Sequence, residues 1–406
     1  MSILRAARAA LAEQIGLSRI LAVVSVAILL AGFSLSCGSG TLSRPNHNAY
    51  VTLPNKGSVA LLHIDGASGA ISIGAQTPQV VGTTPIGLAL LPSKKFLYAV
   101  NSFANSISIY AVGADGTLTA ACPTVPCTPT PVGGSGPVAA AIDPSGSYLL
   151  VTNNFTDDIS VFSIDSSSGA LTLMGSPVPT PTNPSEILFT HSGKFVYVSN
   201  PALGMVSGFA FCPTQLASEP QCSAATSVLS PVPSSPVLSG PGAIGLAVDS
   251  SDRFLYVANP SASNPSVPTI GNISGFNIDP NSGALTTAII GSPFFATNGI
   301  GPTAVTVDPS GRYLYAVTTG TSDSIWCFTI NPTNGQLVAV TGSPFSLSAG
   351  NLFILIDPEG NYLYIGSQDG NAIAGYTYNP STGVPVAISG SPFSTKTAPG
   401  KMVLSE

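Results

Sequence analysis

The chain has 406 residues, a formal charge of −6 and charged side chains at only 7% of positions, against about 25% in an ordinary soluble domain. Its 12 basic residues form no stripe that could meet a phosphate backbone, so the composition argues against nucleic-acid binding. With so little charge, the surface must be wetted mainly by Ser, Thr and Asn.

The first 36 residues differ in character from the rest. Arg5, Arg8 and Arg19 precede an apolar run from Ile20 to Phe33, followed by small residues and Cys37, which is the order of an export signal. Ser34-Leu-Ser-Cys37 is similar to a bacterial lipobox, with its Leu one residue late. The expectation is a lipoprotein-type signal over 1–36, a diacylated Cys37, a polar tether over 37–47, and an exported protein held at the periplasmic or cell surface through its lipid. An uncleaved anchor and a plain secretory signal are the alternatives. Removing the signal leaves 9 basic against 17 acidic residues, a formal charge of −8.

From Tyr50 onward one phrase is written seven times: Tyr50-Val-Thr-Leu53, Tyr98-Ala-Val-Asn101, Leu150-Val-Thr-Asn153, Tyr197-Val-Ser-Asn200, Tyr256-Val-Ala-Asn259, Tyr315-Ala-Val-Thr318 and Tyr364-Ile-Gly-Ser367. The anchors are 48, 52, 47, 59, 59 and 49 residues apart, long enough for four short strands and in the range of propeller blades. The sixth copy is the clearest. Thr303-Ala-Val-Thr-Val307, the turn Asp308-Pro-Ser-Gly311 and Tyr313-Leu-Tyr-Ala-Val317 read as a hairpin. A third strand over Ser324–Ile330, the turn Asn331–Gly335, a fourth strand from Gln336 and the marker Gly342-Ser-Pro-Phe345 follow.

The mature chain opens on a second strand, and Pro399-Gly-Lys-Met-Val-Leu404 matches the first strands of the other copies. The predicted fold is therefore an all-β, seven-bladed β-propeller over 48–406, a single domain of four-stranded blades whose C-terminal strand completes the N-terminal blade. The turn residues have structural reasons: Asp and Asn bond turn amides, Pro presets φ, and Gly accepts positive φ. A single Asp per turn lacks the clustered oxygens that calcium requires. No metal and no cofactor is expected.

Cys122 and Cys127 flank one Pro-rich loop, and Cys212 and Cys222 bracket an insertion in the fourth copy. Two local disulfides are the natural choice among the three possible pairings, in keeping with an oxidising destination. Cys327 lies within a strand and reads as a buried apolar residue.

The pattern Asp-Pro-x-Gly, Leu-Tyr-Val-x-Asn, Ile-Ser-x-Phe, as in Phe254-Leu-Tyr-Val-Ala-Asn259 and Ile273-Ser-Gly-Phe276, resembles the lactonase-like seven-bladed propeller family over roughly 48–406. That family includes 6-phosphogluconolactonases and carboxymuconate-cyclising enzymes. The motifs also shade into the surface-layer propellers named for a Tyr-Val-Thr-Asn repeat, of which Leu150-Val-Thr-Asn153 is a near copy. The resemblance implies His, Arg and Glu around the mouth of a central channel, often with His just after the Pro of an innermost strand. Here those positions carry no His, and the three histidines are His47, His63 and His191.

Counting back from each hairpin turn, the third position of the innermost strands is Gly87, Ala139, Glu186, Gly245, Ala304, Phe353 and Lys401. Glu186 and Lys401 lie three blades apart and are expected to face one another across the ring. Asn101, Asn153, Asn154, Asn200 and Asn259 end second strands on the same face, so a carboxylate, an ammonium, Phe353 and several amides are candidates to meet one polar ligand. In the functional version Glu186 is a general base or carboxylate anchor and Lys401 stabilises an anion. In the structural version both are solvated rim charges and the asparagines make local bonds.

Two functions remain on this reading. The first is a monomeric, lipid-anchored binding or scaffold propeller of the cell envelope, with a glycan or protein partner and a shallow, plugged or merely wet channel. The alternative is a 6-phosphogluconolactonase-like hydrolase acting on a sugar lactone, with a ligand-sized pocket that holds Glu186 and Lys401 together. The absent histidines and the scarcity of charge favour the first.

Overall fold

The computed structural model describes residues 46–405 apart from 77–82, 122–128, 214–221, 223–226, 261–270, 296–300, 320–322 and 348–350. The expected signal, tether, Cys37 and the Cys122–Cys127 pair lie outside the described residues.

Seven antiparallel sheets form the ring. Blade 1 takes its innermost strand, Met402–Ser405, from the C-terminus and the next three, His47–Leu53, Ser58–Ile64 and Ile71–Gln76, from the N-terminus. Blades 2 to 7 are continuous in sequence, and their innermost strands are Pro85–Leu90, Pro137–Ile142, Ile187–Phe189, Gly245–Val248, Pro302–Val307 and Asn351–Ile356. The expected closure is present: Tyr50 pairs Val403 and Ala49 pairs Leu404.

One refinement concerns the outer edge. In blades 2 to 7 a two-residue fifth strand, such as Phe345–Ser346, pairs the start of the third strand, while the fourth strand covers its end. Between them one third-strand amide would lack a partner, and the Ser of the Gly-Ser-Pro-Phe marker supplies it. Cys327 N–H donates to Ser343 Oγ, Gly275 N–H to Ser292 Oγ and Gly375 N–H to Ser391 Oγ, each at 2.9 Å. That is why this short marker recurs.

Each sheet buries its faces against its neighbours, so the core is divided among seven apolar clusters of described residues, one at each seam between blades. The repeated tyrosines stand at the centre of these seams. Tyr50, Tyr98, Tyr197, Tyr256, Tyr315 and Tyr364 are fully buried, and each hydroxyl donates to the carbonyl of a turn glycine in the following blade. The acceptors are Gly116, Gly169, Gly283, Gly335, Gly383 and Gly69, at 2.7–3.0 Å. All six glycines have φ between 71° and 83°, a conformation L side chains rarely adopt. A buried hydroxyl needs such a partner.

The seventh anchor is Leu150, and its seam faces blade 4. There the insertion closed by the Cys212–Cys222 disulfide replaces the glycine turn, with Cα atoms 5.5 Å apart, and residues 212–228 contain no glycine. A leucine brings no hydroxyl that would need such an acceptor. Leu150 instead packs among Phe209, Phe211 and Leu229.

The hairpin turns at the face opposite the mouth are organised by their aspartates. Asp308 Oδ1 accepts Arg312 N–H at 2.8 Å and Tyr313 N–H at 2.6 Å, and Asp143, Asp249 and Asp357 do the same in their own blades. Blade 4 has Thr190 at this position. Its turn borrows Asp252 from blade 5, which accepts His191 N–H at 2.8 Å, Ser192 N–H at 2.7 Å and the His191 ring at 3.0 Å. Although burial opposes it, these bonds hold the Asp252 carboxyl down at about 2, and bonding to Asp252 raises the imidazole.

Candidate functional site

The first strands begin, and the second strands end, at one face of the ring. Gly87 and Gly245 occupy third positions where neighbouring first strands crowd them: a Cβ would lie 3.1 Å from Val138 O in the first case and 3.0 Å from Ala304 Cα in the second. Small residues there let seven strands converge. Ala139, Ala304 and Phe353 continue this row, and Glu186 and Lys401 are its two charged members.

A second row was missed in the sequence. The first strands of blades 2, 3 and 6 break register after their opening Pro, and such a bulge turns an extra side chain toward the channel. Ile86, Val138 and Thr303 are those residues, and they line the mouth with Ser185 and Ile244. Together with Pro54, Asn55, Gln368 and the segment Ala398–Lys401 they enclose a cavity of about 410 Å³, within the roughly 300–1,000 Å³ of small-molecule sites. The signal that could have found this row is the Pro-x-x opening itself, read as a bulge rather than as regular alternation.

Glu186 and Lys401 do not stand apart. Lys401 Nζ donates to Glu186 Oε1 at 3.0 Å, so the two residues, from strands three blades apart, meet as well as face one another. Two long side chains reaching inward from opposite strands are enough to close the gap between them. Each is held at its backbone: Glu186 N–H donates to Ser199 Oγ and Lys401 N–H to Thr52 Oγ1. The remaining carboxylate oxygen, Oε2, accepts the N–H of Leu246 in the next blade at 3.0 Å. The side chains are 28% and 43% exposed, so the pair is open to a ligand.

Phe353 lines the same cavity and is buried against the second strand. Its place depends on Gly366, where a Cβ would come within 2.0 Å of its ring. The asparagines take another position. Asn101, Asn153, Asn200 and Asn259 are buried and hydrogen-bond third-strand serines, Asn101 to Ser108, Asn153 to Ser160, Asn200 to Ser207 and Asn259 to Ser274, at 2.8–3.0 Å. Asn154 lies against Pro184 O and Asn183. None of the five lines the cavity, because their side chains are turned along the sheet toward these local partners. The Asn of Tyr-Val-x-Asn and the Ser of Ile-Ser-x-Phe are thus two halves of one contact. Where the Asn is lost, at Leu53, Thr318 and Ser367, the Ser is lost too, to Ala60, Trp326 and Ala374.

His47, His63 and His191 are likewise absent from the lining. His63 Nδ1 shares a 2.8 Å hydrogen bond with Asn48 Oδ1, and His191 serves the turn described above. Among the described residues no cluster of three His, Cys, Asp or Glu could hold a metal.

A model of the lactonase, seven-bladed β-propeller family matches residues 43–183 and 272–395. The chain is 31% identical over 136 residues to a 6-phosphogluconolactonase of Pectobacterium atrosepticum, and 28% identical over 134 residues to one of Pectobacterium carotovorum. Each match covers 32% of this chain and 40% of the relative, so the chain matches less than half the length of these curated relatives. Among solved structures, the Pseudomonas aeruginosa periplasmic gluconolactonase superposes with a TM-score of 0.70 at 17% identity, covering 89% of this chain and 99% of that one. A candidate 6-phosphogluconolactonase of Bacteroides fragilis gives 0.71 at 19% identity, covering 91% and 99%; likeness at these identities is one of fold.

These findings overturn the scaffold reading. The channel mouth is not plugged but holds a cavity of ligand size with Glu186 and Lys401 joined inside it, and the curated relatives are lactonases by name. The chain belongs to the lactonase, seven-bladed β-propeller family.

Proposed function

We propose that this protein hydrolyses a sugar lactone in the cavity at its channel mouth, with Glu186 and Lys401 as the reacting pair. The observation that carries this reading is their 3.0 Å contact inside a cavity of small-molecule size. A ring that only had to close would need neither charge there. Relatives that are lactonases by name support the same class.

An ionised carboxylate has about four lone-pair positions. Leu246 N–H and Lys401 Nζ use two of them, which leaves capacity to accept a proton from water. In the proposed reaction Glu186 takes that proton as the water oxygen bonds to the lactone carbonyl carbon. The ammonium of Lys401 stabilises the oxyanion that develops. Collapse of the tetrahedral intermediate breaks the ring C–O bond, the departing alkoxide takes the proton held by Glu186, and an open-chain hydroxy acid is released.

The test is a pH-stat assay over a panel of sugar lactones with the wild-type protein, Glu186→Gln and Lys401→Ala. Each substitution is expected to lower kcat by about a hundredfold or more. Wild-type rates equal to spontaneous hydrolysis for every lactone would overturn the reading.

The same reading includes export with Cys37 as a lipid anchor, supported by the Cys212–Cys222 disulfide, a feature of oxidising compartments, and by the apolar run before Cys37. Metabolic labelling with a fatty acid should mark the wild type and not Cys37→Ala; equal labelling of both would sink it.

A further inference from the structure

We infer that the cavity selects an uncharged, polyhydroxylated lactone over its phosphate ester; this rests on the lactonase reading above and names its substrate class. Two charged side chains line the described cavity, Glu186 and Lys401, and they neutralise one another at 3.0 Å. A phosphate carries close to two negative charges at neutral pH, and its recognition calls for a guanidinium fork or several converging N–H donors. A phosphate entering this mouth would find one ammonium already engaged and a carboxylate beside it.

None of the other seven basic residues described lines the cavity, and Lys94, Lys95, Lys194, Arg253 and Arg312 lie in hairpin turns. Arg253 and Arg312 belong to hairpin turns on the opposite face, where Arg253 Nη2 donates to Pro332 O at 2.6 Å and Arg312 Nη2 to the Tyr313 hydroxyl at 3.3 Å. Their guanidinium carbons sit 4.9 and 5.3 Å from the ring centres of Phe254 and Tyr313. Lys56 and Lys396 are exposed and do not line the cavity. The segments between strands that lie outside the description, 77–82, 122–128, 214–221, 223–226, 261–270, 296–300, 320–322 and 348–350, contain no Lys or Arg, so none of them can bring a further cation to the mouth. Residues 46–406 carry 8 basic against 17 acidic side chains, a field that repels a dianion before it arrives.

What the cavity does offer suits a neutral polyol. Asn55, Gln368, Ser185 and Thr303 present amides and hydroxyls, while Ile86 and Ile244 supply apolar wall. Small numbers of uncharged polar groups on an apolar surface orient hydroxyl-rich ligands without demanding charge.

The experiment compares δ-gluconolactone with 6-phosphogluconolactone as substrates of the full chain, at constant ionic strength and with spontaneous hydrolysis subtracted. The expected result is a kcat/KM higher for the neutral lactone by about tenfold or more, the scale of one unfavourable charge contact. An equal or higher value for the phosphate ester overturns the inference and leaves the lactonase reading standing. Turnover of neither, joined with spontaneous rates across the whole lactone panel, overturns the lactonase reading, and calorimetric titration with gluconate and 6-phosphogluconate then reads the charge preference by itself. Tighter binding of gluconate supports the inference, while tighter binding of 6-phosphogluconate, or binding of neither, sinks it.

Discussion

The wall of the ring and its mouth are built from the same strands, but they differ in how strictly the repeats agree. Along the wall, six tyrosines make one hydrogen bond to one kind of glycine turn, and four aspartates hold their hairpins through the same pair of amides. At the mouth, structurally equivalent positions carry Gly, Ala, Phe, Glu and Lys. Closing the ring requires every seam to fit, so identity is useful in the wall. A ligand is not sevenfold symmetric, so a site must break the repeat. The difference separates stability from chemistry: substitutions in the wall should unfold the protein without altering turnover by the folded fraction, and those at the mouth should do the reverse.

The strongest test of that division is Asp308→Ala, which leaves Arg312 and Tyr313 amides without their carboxylate at a buried site. Hydrogen bonds to a charged group contribute roughly 1.5–3 kcal/mol each, so a loss of about 3 kcal/mol is expected in urea unfolding, with kcat/KM per folded molecule unchanged. A drop in kcat/KM matching that of Glu186→Gln would break the comparison.

A smaller effect should come from a mirrored pair at the seams. Leu150→Tyr places a hydroxyl where no glycine turn exists and should cost about 2 kcal/mol, from an unpaired buried polar group and overpacking. Tyr256→Phe removes the 2.7 Å bond to Gly335 and should cost about 1 kcal/mol. If Leu150→Tyr proved neutral in thermal or urea unfolding, the link between the missing tyrosine and the Cys212–Cys222 insertion would be lost.

Much of the site was legible only in part. The register that picked out Glu186, Phe353 and Lys401 follows from counting back from the turns, because strand alternation is local and the turn residues fix its phase. Ile86, Val138 and Thr303 escaped that count because a bulge shifts the alternation by one residue, and Gln368 and Asn55 because they lie beyond strand ends, where no period constrains direction. The asparagines were placed on the correct face, yet their side chains turn to Ser108, Ser160, Ser207 and Ser274. The paired loss of Asn and Ser in the other three blades was the signal available in the sequence.

The sequence by itself determined the number of blades, the order of their strands and the closure of the ring by Pro399–Leu404, since these depend on turn chemistry and alternation over a few residues. The tertiary structure decided that each of the six tyrosines reaches into the following blade and that Leu150 packs among Phe209, Phe211 and Leu229 instead. It also decided that Glu186 and Lys401, 215 residues apart, meet as one pair. Those contacts depend on the distance across seams and across the channel, which is set by how seven blades pack together and is encoded in no single repeat.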